Sequence, residues 1–160
     1  MMGLKAELRL QKDFASPQLE ALLGIYYTAS MIKKRADTFF GDFGLTDVQY
    51  NLMNLLHYES GPKGGISQAQ LGEMMMVNRA NVTTLIDRME KSALVVRTTH
   101  KTDRRLKIVK LTPKGEKLFL KVRPFYIKQI NMAMSSLDES ELKVLDRMLE
   151  RVRNNVRDPK

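Results

Sequence analysis

Residues 81–97 read NVTTLIDRMEKSALVVR, and residues 103–115 read DRRLKIVKLTPKG. In the first stretch Val82, Leu85, Ile86 and Met89 recur at steps of three and four, the period of one helix face. The opposite face carries Arg79, Asn81, Thr83, Thr84, Asp87 and Arg88, so the spacing predicts a helix with a buried stripe and a polar front. Asn78 is placed to cap it. Upstream, Ser67 and Gln70 have the spacing of a capping box, which opens a second short helix with Leu71, Met74 and Met75 as its apolar set. Methionines at that spacing are expected to fill core. Two short helices joined by about three residues make a helix-turn-helix.

Working outward, Leu94 to Thr99 is rich in Val and Thr and reads as a strand, His100 to Asp103 as a polar turn, and Arg105 to Leu111 as a returning strand. The second strand does not alternate cleanly: Leu106 and Ile108 share one parity, Val109 and Leu111 the other, which implies packing on both faces. Thr112-Pro113 puts a cap residue before a proline at the first helical position, so the hairpin feeds into a helix that Pro124 is expected to kink. Asp138 to Glu141 repeats the capping box and starts a last helix with Leu142, Leu145, Leu149 and Val152 on one side. On the other flank, a helix running through Ile25 to Phe40 ends in the Gly41 to Gly44 region, and Thr46 to Gln49 caps another that ends before Gly61-Pro62.

The chain of 160 residues has a net charge of +9 and a sequence pI near 9.8, unevenly distributed. Residues 1–60 carry six basic against seven acidic side chains, residues 61–110 ten against four, and residues 111–160 eleven against seven. A basic excess that is densest over a helix-turn-helix and hairpin points to nucleic acid. Arg97, Lys101, Arg104, Arg105, Lys107 and Lys110 stand on the hairpin against the single acid Asp103. A hairpin beside such a helix can put an arginine into a narrow minor groove, with Asp103 holding a neighbouring arginine extended.

Other chemistry finds little support. Cysteine is absent, which removes thiolate metal sites and cysteine nucleophiles, and His57 and His100 are the only histidines, so no metal or other cofactor is expected. No glycine-rich phosphate loop or nucleophile elbow occurs, so no catalytic residue is assigned and the chain is not expected to be an enzyme. The N-terminus lacks the apolar run of a secretion signal and no stretch reaches the length of a membrane span, which makes a cytoplasmic location the expectation. Tyr26, Tyr27, Tyr50 and His57 are candidates for a ligand pocket, although rings on amphipathic helices also serve as core or dimer interface.

The order of helix, helix-turn-helix, hairpin and C-terminal helices, together with the two stretches quoted first, resembles the MarR family of transcriptional regulators over roughly residues 15–153. The most specific part is Asp103-Arg104-Arg105, followed by Thr112 and Gly115, which matches the family's wing signature. The resemblance implies a homodimer whose N- and C-terminal helices intertwine and whose two winged helices meet double-stranded DNA about one helical turn apart. It implies a repressor, an arginine matching Arg105 in the minor groove, and a small aromatic or phenolic effector. One departure is Ala93, where the family usually has glycine, and a left-handed L-residue costs roughly 1 kcal/mol or more.

The expected fold is therefore mainly α: a winged helix-turn-helix over residues 45–112, with a three-helix core and a β-hairpin wing, flanked by dimerisation helices in 1–44 and 113–160. The expected DNA-contacting residues are Ser67, Gln68, Arg79, Asn81, Thr83, Thr84, Arg88, Lys101, Asp103, Arg104, Arg105 and Lys107. The competing expectation is an architectural or protein-binding winged helix without operator specificity.

Overall fold

The computed structural model describes residues 3–61, 64–99 and 106–157, with Arg79 described by its backbone alone. Along the chain run α1 (Leu4–Glu7), α2 (Pro17–Gly41), α3 (Asp47–Glu59), β1 (Ile66–Ser67), α4 (Gln68–Met75), α5 (Arg79–Lys91), β2 (Val95–Thr99), β3 (Lys107–Leu111), α6 (Pro113–Met134) and α7 (Glu139–Arg157). Met1–Phe119 and Leu120–Lys160 are two compact units. The first is a winged helix-turn-helix, in which α3, α4 and α5 pack on a three-stranded antiparallel sheet of order β1-β3-β2.

Capping fixes where the helices begin. The Thr46 hydroxyl accepts from the Gln49 amide at 3.2 Å while the Gln49 side chain accepts from the Thr46 amide at 2.9 Å. Ser67 and Gln70 close the same box at the head of α4, and the Asn78 carboxamide oxygen accepts from the Asn81 amide at 2.9 Å. Ser16 caps α2 ahead of Pro17.

At the head of α7, in the second unit, Asp138 accepts from the Glu141 and Ser140 amides, and the Glu141 bond is the leading reason its carboxyl titrates below the usual carboxylate range. A lowered folded-state pKa means that this cap acts in full above the ordinary value of 3.8 and is lost as the pH falls through the lowered one. The gap in urea midpoint between wild type and Asp138→Ala should accordingly be open at pH 6 and close in strong acid. A gap that persists unchanged to about pH 2 would count against the cap.

The helix exits show where the chain accepts strain. After α2, Gly44 takes φ 69° and the Leu45 amide reaches back to the Phe40 carbonyl at 3.0 Å. The same reach closes α4, where Val77 bonds the Gly72 carbonyl, and α5, where Leu94 bonds the Met89 carbonyl at 2.9 Å. There, however, the left-handed residues are Met76 at φ 53° and Ala93 at φ 55°. Ala93→Gly is expected to raise stability by about 1 kcal/mol, less the added freedom of glycine in the unfolded chain. A urea midpoint equal to or below wild type would refute this.

The core forms from the stripes that the spacing predicts. Val82, Ile86 and Met89 of α5 are fully buried with Leu52 and Met53 of α3 and Leu71 of α4, each contributing about 1.5–3 kcal/mol of apolar burial. Leu85 is half-buried. The methionine expectation needs correcting: Met75 is half-buried, but Met74 is 44% exposed and Met76 85%. Helix α4 is only eight residues long, so the 71/75 edge turns inward and Met74, one step round, stays at the margin.

The sheet explains the mixed parity of β3. It is the central strand, with β2 on one side (Val95 opposite Leu111 through Thr99 opposite Lys107) and β1 on the other (Ile66 opposite Val109). Val109 is fully buried as a result. Gly65 makes the close approach of β1 possible: at φ 96°, a Cβ there would lie 2.6 Å from Ile108 Cγ2 and 2.7 Å from the Val109 carbonyl oxygen. Helix α6 runs unbroken as a helix through Pro124.

Candidate nucleic-acid interface

Helix α5 stands with its apolar stripe inward, so its outer face is set by default. Asn81, Thr84 and Arg88 are exposed along it, and Thr83 is half-buried at its edge. The Thr84 hydroxyl donates back to the Ala80 carbonyl at 3.1 Å, which holds its methyl group in place. Arg79 is the first residue of the helix.

The two helices of the motif are joined by a direct polar contact. Gln68, at the first position of α4, donates from Nε2 to the Thr83 hydroxyl at 2.5 Å, so both expected contact residues lie side by side at the junction of α4 and α5. Ser67 is placed differently. It is 5% exposed and its hydroxyl serves the capping box, so it stands as a helix cap in β1 and not as an exposed contact.

Arg97 of β2 turns onto the same helix. Its backbone amide donates to Glu90 Oε1 at 2.7 Å and its Nη1 lies 3.2 Å from Glu90 Oε2. Its Nη2 donates to the Thr83 carbonyl at 3.2 Å and pairs with Asp87. Its Nε is buried without a hydrogen-bond partner among the described residues. The sequence reading counted Arg97 among the six basic residues of the hairpin without a partner for it; the signal of its engagement was the pair Asp87 and Glu90, two acids on α5.

On β3, Lys107 is exposed and donates to the Thr99 hydroxyl at 3.2 Å across the hairpin. Lys101, Asp103, Arg104 and Arg105, at the expected tip, lie outside the described residues. The rest of the wing signature is architectural. The Thr112 hydroxyl donates to the Ala93 carbonyl at 2.6 Å and accepts from the Gly115 amide at 3.0 Å, and Lys114 Nζ donates to the Ser92 carbonyl at 2.8 Å. The start of α6 is thus bolted to the exit of α5.

The expected ligand-pocket residues separate into two groups. Tyr50 is buried, stacked between Phe40 at 4.5 Å and Phe119 at 5.3 Å between ring centroids, so both its faces are filled by core. His57 packs 4.6 Å from Phe119 and its Nδ1 lies 2.7 Å from Glu116 Oε1, tying α3 to the start of α6. Tyr26 is 63% exposed on α2 and Tyr27 half-buried there. A cleft of about 480 Å³ opens elsewhere, lined by Glu59, Ile66, Gln70, Glu73 and Met74 among others, and none of the four expected residues lines it. Among the described residues no three His, Asp or Glu side chains gather to hold a metal ion.

Comparison with known proteins agrees with this geometry. The MarR family model matches residues 43–106. The HTH-type transcriptional regulator MhqR of Bacillus subtilis (strain 168) is 28% identical over 114 residues, 71% of this chain and 76% of that protein. Two further curated relatives are matched over 64% and 58% of their own lengths. AbsC, a MarR family transcriptional regulator from Streptomyces coelicolor, superposes with a TM-score of 0.80 at 21% identity over 91% of this chain and 99% of its own. MepR from S. aureus, solved in complex with DNA, gives 0.77 at 21% over 89% and 99%. From the capping boxes to the buried stripe of α5 and the strapped exit at Thr112, the chain has the fold of the MarR regulators it superposes on, and its residues 43–106 match the MarR family model.

Proposed function

We propose that this chain is a sequence-specific DNA-binding transcriptional regulator that acts as a homodimer on a pseudopalindromic operator. The observation that carries the reading is the face of α5: Asn81, Thr84 and Arg88 exposed on a helix whose other side is locked into the core. An asparagine can bond an adenine edge two ways, an arginine a guanine or phosphate, and a threonine methyl can rest on thymine. The wing, with Lys107 and the tip residues Arg104 and Arg105, would follow the backbone into the adjoining minor groove.

Two identical lobes need a dimer, with residues 45–112 as the DNA-binding lobe and the helices in 1–44 and 113–160 joining the copies. Exposed apolar side chains on those helices support this: Leu22, Ile25 and Met31 on α2, Phe125, Ile127 and Ile130 on α6, Leu145, Met148 and Val152 on α7. A dimer seated on an operator blocks the DNA it covers, so repression is the sign of regulation we assign. An aromatic or phenolic effector would release it by favouring a dimer geometry whose recognition helices are wrongly spaced. No catalytic role is assigned, and no helix among the described residues is long and apolar enough to cross a membrane.

Fluorescence anisotropy at several salt concentrations, comparing the duplex upstream of the protein's own gene with a scrambled duplex of equal length, tests the reading. Tighter binding to the native duplex near physiological salt is the expected result. Equal binding that falls steeply with salt would replace it with an architectural role.

A further inference from the structure

The recognition helix carries an apparent contradiction: Asp87 and Glu90 lie on a helix whose exposed face is read here as facing phosphate. Both carboxylates are turned toward one guanidinium, that of Arg97 on β2. We infer that Arg97 acts in DNA binding as a positioning residue, which pins Asp87 and Glu90 and offsets part of their charge so that they repel the phosphates less. This inference rests on the DNA-binding reading above.

The donor count supports it. A guanidinium has five N–H groups. Both on Nη2 are used, by the Thr83 carbonyl and Asp87, and Nη1 faces Glu90. Nε is buried, and less than a quarter of the side chain is exposed. Little is left for a phosphate, which distinguishes Arg97 from Arg88 on the exposed face.

The electrostatics run the same way. Without Arg97, α5 would hold Asp87 and Glu90 against Arg79, Arg88 and Lys91, close to electrical balance. With it, one of the two negative charges is offset and both carboxylates are held against β2, so the balance shifts from +1 to +2. The Arg97 bond to the Thr83 carbonyl also ties the correction to the turn of helix that bears Asn81 and Thr84. Arginine suits the task because its planar fork serves two carboxylates at once, which a lysine ammonium does not do in one plane.

The test uses the full chain and the anisotropy assay with the duplex from upstream of its own gene. Arg97→Ala is expected to weaken binding about tenfold or more. Combining it with Asp87→Asn and Glu90→Gln should restore affinity to within about threefold of wild type, because the charges it masked are gone. The slope of log affinity against log salt should stay within about half a unit of wild type, since no phosphate contact is lost.

A triple variant that stays weak, with a slope smaller by about one, would make Arg97 a phosphate contact and overturn the inference. Undiminished binding by Arg97→Ala would overturn it as well. If Arg97→Ala does not fold by circular dichroism, Asp87→Asn/Glu90→Gln with Arg97 intact decides: equal or tighter binding is expected, and a tenfold loss refutes the masking role. Wild type that binds neither duplex would instead sink the functional reading itself.

Discussion

Gly115→Ala is expected to destabilise the protein by about 3 kcal/mol or more. A Cβ at that position would lie 2.0 Å from the Leu94 carbonyl oxygen, 3.0 Å from its carbon and 3.2 Å from Leu111 Cδ2. Two of those atoms are backbone, and that backbone is held from both sides. The Leu94 amide bonds the Met89 carbonyl at 2.9 Å, and the Leu94 carbonyl accepts from the Thr112 amide at 3.1 Å. Relief would require moving the head of α6 off the exit of α5, breaking the Thr112 bonds to Ala93 and Gly115. Against a typical total stability of about 5–15 kcal/mol, that is a large fraction. Urea unfolding followed by circular dichroism measures it, with Lys114→Ala, which removes one exposed bond to Ser92, expected to cost under about 1 kcal/mol. A Gly115→Ala midpoint near wild type would show that α6 can shift freely.

The local grammar of the fold was legible in the sequence because it is written in neighbours. The capping residues Thr46, Ser67, Asn78 and Asp138 all cap in the structure, since a cap and its amide are three residues apart. The stripe of Val82, Ile86 and Met89 needed only helical periodicity. Three features needed distant parts of the chain. Strand β1 is two residues long and exists because Val109, more than forty positions on, pairs with Ile66. The engagement of Arg97 depends on acids seven and ten residues back that read locally as solvated. Tyr50 and His57 read as pocket residues until Phe119 is brought against both.

Ala93 is a case where sequence and structure meet on a cost. The missing glycine after α5 flagged a strained exit, and the chain does take φ 55° there. Met76 repeats the pattern at the exit of α4, where composition gave no warning. Both helices of the motif therefore end in left-handed residues other than glycine, so the turn between them and the step into the wing are held by tertiary packing against local preference. Thr112 supplies part of that hold, bonding the Ala93 carbonyl itself at 2.6 Å.

Asn81→Ala is expected to weaken binding to the native duplex about tenfold to a hundredfold, which corresponds to the ~1–3 kcal/mol of discrimination that a bidentate base contact supplies. The substitution is a clean probe because the side chain has no structural work. Asn81 is exposed, its carboxamide bonds no described residue, and the cap at this turn is made by its backbone amide to Asn78, which alanine keeps. Alanine is also the better helix former, so the urea midpoint should hold or rise slightly. The scrambled duplex should lose less than about threefold, since a base contact is of use only on the right base. Arg88→Ala supplies the contrast: as a phosphate contact it would weaken both duplexes alike and lower the salt slope by about one. If Asn81→Ala also weakened both duplexes equally, the helix would be meeting backbone rather than bases, and sequence reading would have to reside in the wing.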